Sequence, residues 1–68
     1  MYPRLTLKSG KDKPIRHRHH WIFSGAIKHL DPCEDGDIAD VQSSTGESLG
    51  HAYINHHTSI TGRMISFG

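Results

Sequence analysis

A single cysteine, Cys33, occurs in the 68 residues, so an intramolecular disulfide is excluded and no CxxC pair offers a thiolate zinc site. One unpaired cysteine suits a reducing, cytoplasmic setting. Long apolar runs are also missing. No stretch is long enough to span a bilayer, and the N-terminus lacks the apolar segment of a signal peptide, so no membrane contact is expected. Aromatic residues make up only 7% of the chain. A chain this short buries only about 60% of the surface its unfolded form exposes, which leaves room for one small core. No nucleophile–base pair and no phosphate-cradling glycine loop can be picked out. An enzyme acting alone, with a catalytic residue or a cofactor of its own, is therefore not expected.

What the chain does have is charge, unevenly placed. The formal net charge is only +1. Residues 1–30, however, carry seven Lys/Arg against Asp12 alone, a net +6, and residues 31–68 carry Arg63 against six carboxylates, a net −5. A basic face is the electrostatic footprint of a polyanion ligand. Two solvated halves that neutralise each other would give the same numbers.

Residues 2–8 alternate, with Leu5 and Leu7 on one side, which predicts a half-buried strand. Asp12 followed by Pro14 predicts the start of a short helix over 13–20, held down by Ile15. Residues 21–30 are apolar strand formers, and Ser24-Gly25 in their middle predicts a bulge or a place where another backbone comes close. A turn-rich acidic loop over 31–37 follows, then strands at 38–43, with Ala39 and Val41 inward, at 47–54 and at 59–67. Thr45-Gly46 marks the turn of a hairpin. The fold class is mainly β: a small barrel of about five strands with one short helix, because closure hides strand edges in so short a chain.

The run Lys13-x-Ile15-x-x-Arg18-His19-x-Trp21-Ile22-Phe23-Ser24-Gly25-Ala26-Ile27 resembles a family signature, K-x-L-x-x-R-H-P-W-V-F-S-G-A-I. That signature belongs to the N-terminal PUA domain of S-adenosylmethionine-dependent large-subunit ribosomal RNA cytosine-C5 methyltransferases. The likeness continues through Gly36-Asp37 to Val41, through the hairpin Gly46 to Asn55, and from Ser59-Ile60 to Arg63. His20 stands where the family has proline, and Ala52 where it often has glycine. The resemblance implies a PUA-like pseudo-barrel over 1–68, the N-terminal fragment of a longer protein. Such a domain holds structured, ribosomal RNA for a separate catalytic methyltransferase domain, and the cofactor belongs to that domain.

Lys11, Lys13, Arg16 and Arg18 lie on or just before the expected helix, where they would contact phosphates, or simply form a solvated helix face. Ser24 and Gly25 either bring a backbone N–H to a phosphate or shape the strand. Arg63 either completes the RNA face or pairs with a carboxylate such as Asp40. Trp21 and Phe23 are expected in the core, whereas Tyr53 could serve the core or a base. His19, with His17 and His20, would add positive charge beside RNA when protonated. Together with His56 and His57 the histidines could in principle supply zinc ligands, but the spacing matches no ligand motif and no metal is expected. The competing function is a protein-interaction barrel that docks through its oppositely charged halves.

Overall fold

The structure, a computed structural model, describes residues 2–67. Six strands form around the alternating segments: β1 (Arg4–Leu7), β2 (Trp21–Phe23), β3 (Ile27–Leu30), β4 (Ile38–Gln42), β5 (Ser48–Ile54) and β6 (Ile60–Phe67). One helix, α1, spans Lys13–Arg16. They build a single sheet in the order β2-β6-β5-β4-β1-β3, in which only β1 and β4 run parallel.

The period of two decides what is buried. Leu5 and Leu7 of β1, Ala39 and Val41 of β4, Leu49, Ala52 and Ile54 of β5, Ile22 of β2 and Met64 of β6 all point inward. Ile15 is the buried residue of α1 and pins the helix to this core. Full burial of a leucine-sized side chain contributes about 1.5–3 kcal/mol. Five such side chains (Leu5, Leu7, Ile22, Ile54 and Val41) are the largest that are fully enclosed.

The segment 21–30 is not one bulged strand. A 3-10 turn at Ser24–Ala26 divides it into β2 and β3, which lie at opposite ends of the strand order. Consecutive strands can occupy opposite edges only if the sheet curls until those edges approach, so this turn spans the mouth of a half-barrel. It is tied on both sides: Ser24 N–H donates to the Ser59 carbonyl at 2.8 Å, and Lys8 N–H donates to the Ala26 carbonyl at 2.8 Å. The split raises the strand count from the expected five to six. The expected close approach of another backbone falls at Ser24, through the Ser59 carbonyl, and not at Gly25, where an added Cβ would meet nothing within 4 Å.

The helix is also shorter than expected. It stops at Arg16 because Arg18 takes a left-handed backbone (φ 65°). Arg18 N–H then donates to the Ile15 carbonyl at 2.9 Å and His19 N–H to the Pro14 carbonyl at 3.0 Å. These are the paired bonds of a Schellman stop, in which glycine is the usual left-handed residue. Asp12 occupies the cap position, but its side chain makes no capping bond and reaches Arg16 instead. Among the described residues, no helix is long and apolar enough to cross a membrane.

Candidate nucleic-acid interface

An arginine at the left-handed position costs of order 1–3 kcal/mol of backbone strain relative to glycine, so other contacts must hold it. The Arg18 guanidinium lies over the Phe67 ring, 5.4 Å from its centroid, within the range of a cation–π contact. The His20 ring meets Phe67 edge-on at 5.5 Å, and Met64 N–H donates to the His20 carbonyl at 2.6 Å. The stretch after α1 is thus laid along β6, and its side chains face solvent at residues 17–21.

Arg16 has a different environment. Its Nε donates to Asp12 at 2.6 Å, and its two terminal nitrogens form a parallel pair of 3.0 Å bonds with Glu47. The Glu47 and Asp12 hydrogen bonds hold the guanidinium more firmly charged, and the Arg16 hydrogen bond holds the Glu47 and Asp12 carboxyls below their ordinary range. Arg16 therefore clamps α1 to the β4–β5 hairpin, and its charge is already compensated. It is the one helix cation that the structure engages away from the candidate face.

Carboxyls with lowered values contribute stability that is complete above their ordinary values of 3.8 and 4.5 and is lost as pH falls through the lowered ones. The wild-type chain should melt higher than Arg16→Ala at pH about 6, and the gap should close between pH about 5 and 3. The gap is small throughout, because the Arg16 and Glu47 side chains are 41% and 55% exposed. Thermal melts of both chains across that range check it, and a pH-independent gap would remove the clamp.

Two adjoining grooves lie beside the α1 segment. The first, about 700 Å³, includes Lys11, Lys13, His17, His19, His20, Trp21, Phe23 and Gly25 in its walls. The second, about 710 Å³ and more open, is lined by His17, Arg18, His19, His20, Trp21 and Arg63. Among the described residues, no Asp or Glu lines either groove. Among the described residues, Lys11, Lys13, Arg18 and Arg63 make no ion pair with a carboxylate. Arg63 is not the partner of Asp40, whose carboxylate accepts from Gln42 and Ser48.

Of the residues singled out in the sequence, Lys11, Lys13, His19 and Gly25 thus meet in one groove and Arg18, His19 and Arg63 in the next. Ser24 is outside both, its N–H taken by Ser59. The expectation that Trp21 and Phe23 fill the core is overturned: they are 52% and 53% exposed, because Ile22 between them takes the inward position of β2. Tyr53 is 48% exposed and likewise outside the core. The alternation Trp-Ile-Phe carried that signal, and the apolarity of all three residues hid it.

The second histidine cluster serves the acidic loop. His56 N–H donates to Asp35 at 2.7 Å, and His57 Nε2 lies 2.7 Å from the other oxygen of the same carboxylate. Burial, with the carboxylates of Asp37, Asp31 and Asp35, pushes the Cys33 thiol up, away from the reactive thiolate form. Among the described residues, no three His, Cys, Asp or Glu side chains gather as a metal cage.

Comparison with known proteins agrees with the half-barrel fold. A sequence model of a PUA-like domain matches residues 5–67. Similar proteins include ribosomal RNA large subunit methyltransferase I of Vibrio cholerae, 37% identical over 98% of this chain. The proteins of the same name from Salmonella arizonae and Yersinia pseudotuberculosis are 33% and 35% identical, over 97% and 98% of the chain. The chain spans only 17% of the length of each of these relatives.

Proposed function

This chain belongs to the PUA-like domain family, and from that premise we propose that it is an RNA-binding module serving an RNA methyltransferase. The domain is not itself the catalyst, since it corresponds to a small N-terminal part, 17%, of its methyltransferase relatives. The observation that carries the RNA reading is the lining of the two grooves. Lys11, Lys13, Arg18 and Arg63 converge there from three parts of the chain with three histidines and exposed aromatic rings, and among the described residues no Asp or Glu lines the grooves. Phosphate oxygens fit the cations and base faces fit the rings. Gly25 and His19 complete the walls, Ser24 supports the turn behind them, and Arg16 holds the helix in place.

The names of the relatives point to ribosomal RNA as the partner. In this reading a methyltransferase domain elsewhere in the parent protein binds S-adenosylmethionine and modifies a cytosine at C5 in the cytoplasm. The domain described here contributes affinity and orientation. If the four groove cations each neutralise a phosphate, log K should fall against log salt with a slope of about −2.8 to −3.6. Raising salt from about 50 to 200 mM should then weaken structured-RNA binding by about 50- to 150-fold. Fluorescence anisotropy with a labelled RNA reads this directly, and a slope near zero would reject the phosphate contacts.

A further inference from the structure

Trp21, Arg63 and Tyr53 sit at one level on three neighbouring strands. Trp21 pairs with Arg63 across β2 and β6, and Arg63 pairs with Tyr53 across β6 and β5. Directly opposite residues project from the same face of a sheet. The three therefore form a row, ring–guanidinium–ring, on the outer face, with Trp21 52% and Tyr53 48% exposed. Arg63 and Trp21 also share the second groove with Arg18.

We propose that this row binds two consecutive unpaired nucleotides, one base on Trp21, the next on Tyr53, and the phosphate between them on Arg63. The proposal rests on the RNA-binding reading and narrows it to a single-stranded segment. Neighbouring strands lie about 4.8 Å apart, so the two ring positions are about 9.5 Å apart. One base sandwiched between two rings needs two stacking distances of about 3.4 Å, so the spacing fits one base per ring better than one base between them. Arg63 lies between the two rings, where its planar fork can clamp a phosphate. Duplex RNA does not suit the row. Its bases are covered on both faces by their neighbours, and its deep, narrow major groove excludes side chains. Rings on a sheet surface take splayed bases by their π-faces, largely without regard to sequence. Arg18, in the same groove as Trp21 and Arg63, offers the next phosphate contact along the strand.

Trp21 is the sole tryptophan of the chain, so its fluorescence reports on this row and the grooves beside it, and the ring variants separate the two. The test titrates the 68-residue chain with a single-stranded oligoribonucleotide and with a blunt duplex of the same length, at one salt concentration. The single strand should quench Trp21 to saturation and the duplex should not. Trp21→Ala and Tyr53→Ala should each bind the single strand about 5- to 150-fold more weakly. Trp21→Phe, which keeps a ring, should retain most of the affinity. Melting curves should be close to wild type, since both rings already face solvent. Single-strand binding without quenching, or wild-type affinity in both alanine variants, would overturn the row as a nucleotide site while the groove cations could still hold RNA. No binding of either RNA would overturn the RNA reading and this site with it.

Discussion

Gly50→Ala is expected to leave the chain largely unfolded or close to it. Gly50 sits in β5 with φ +135°, a backbone that L side chains rarely adopt. A Cβ there would fall on the Ser66 carbonyl oxygen and lie 2.9 Å from Phe67 Cα. Both are backbone atoms of β6, at the point where Gly50 pairs with Phe67, so neither can move without opening the β5–β6 ladder. The backbone strain costs of order 1–3 kcal/mol, and overpacking adds typically 1–3 kcal/mol. A 68-residue domain has only about 3–10 kcal/mol of stability in total. At about 4–8 °C per kcal/mol, the melting temperature should drop by at least about 10 °C. Gly46→Ala is the control: its φ is +91° but a Cβ would meet nothing within 4 Å, so it should show the backbone cost alone. If Gly50→Ala melts within a few degrees of wild type, the β5–β6 register described here is wrong.

Much of the strand pattern was legible because it follows from local alternation. Leu5 and Leu7, Ala39 and Val41, and the Thr45-Gly46 turn are where the sequence puts them. The 3-10 turn was half legible. Ser24-Gly25 signalled a break, but only the strand order shows that the break carries the chain from one edge of the sheet to the other. The helix end is not legible, because residues 17–20 are compatible with helix one by one. Its true end depends on a left-handed arginine, which no propensity indicates, and on Phe67, about fifty residues away in sequence.

The candidate face was legible as charge and not as geometry. Counting seven basic residues in 1–30 treats them as equivalent. The structure separates them: Arg16 is paired twice, Arg4 and Lys28 are outside the grooves, and Lys11, Lys13 and Arg18 line them. Arg63, from the acidic half, joins them because β6 pairs with β2. The aromatic component is not legible, because composition alone suggests that a small core needs its large rings. Leucine, isoleucine, valine and methionine fill that core, which leaves Trp21, Phe23 and Tyr53 at the surface.

The separation between groove cations and other cations gives the most direct test of the RNA-binding account. Lys13→Glu with Arg63→Glu, and Arg4→Glu with Lys28→Glu, alter net charge equally, and all four side chains are exposed. A charge-assisted hydrogen bond contributes roughly 1.5–3 kcal/mol, so losing two phosphate contacts should weaken binding by at least about 100-fold. Long-range attraction depends on total charge and is screened beyond about 8–10 Å at moderate salt, so it affects both double variants alike and weakly. The decisive measurement is the affinity of the two double variants for one structured RNA at about 150 mM salt, with melting curves to confirm folding. The account predicts that Lys13→Glu/Arg63→Glu loses binding while Arg4→Glu/Lys28→Glu stays within a few-fold of wild type. Equal losses in the two variants, or none in either, would contradict it.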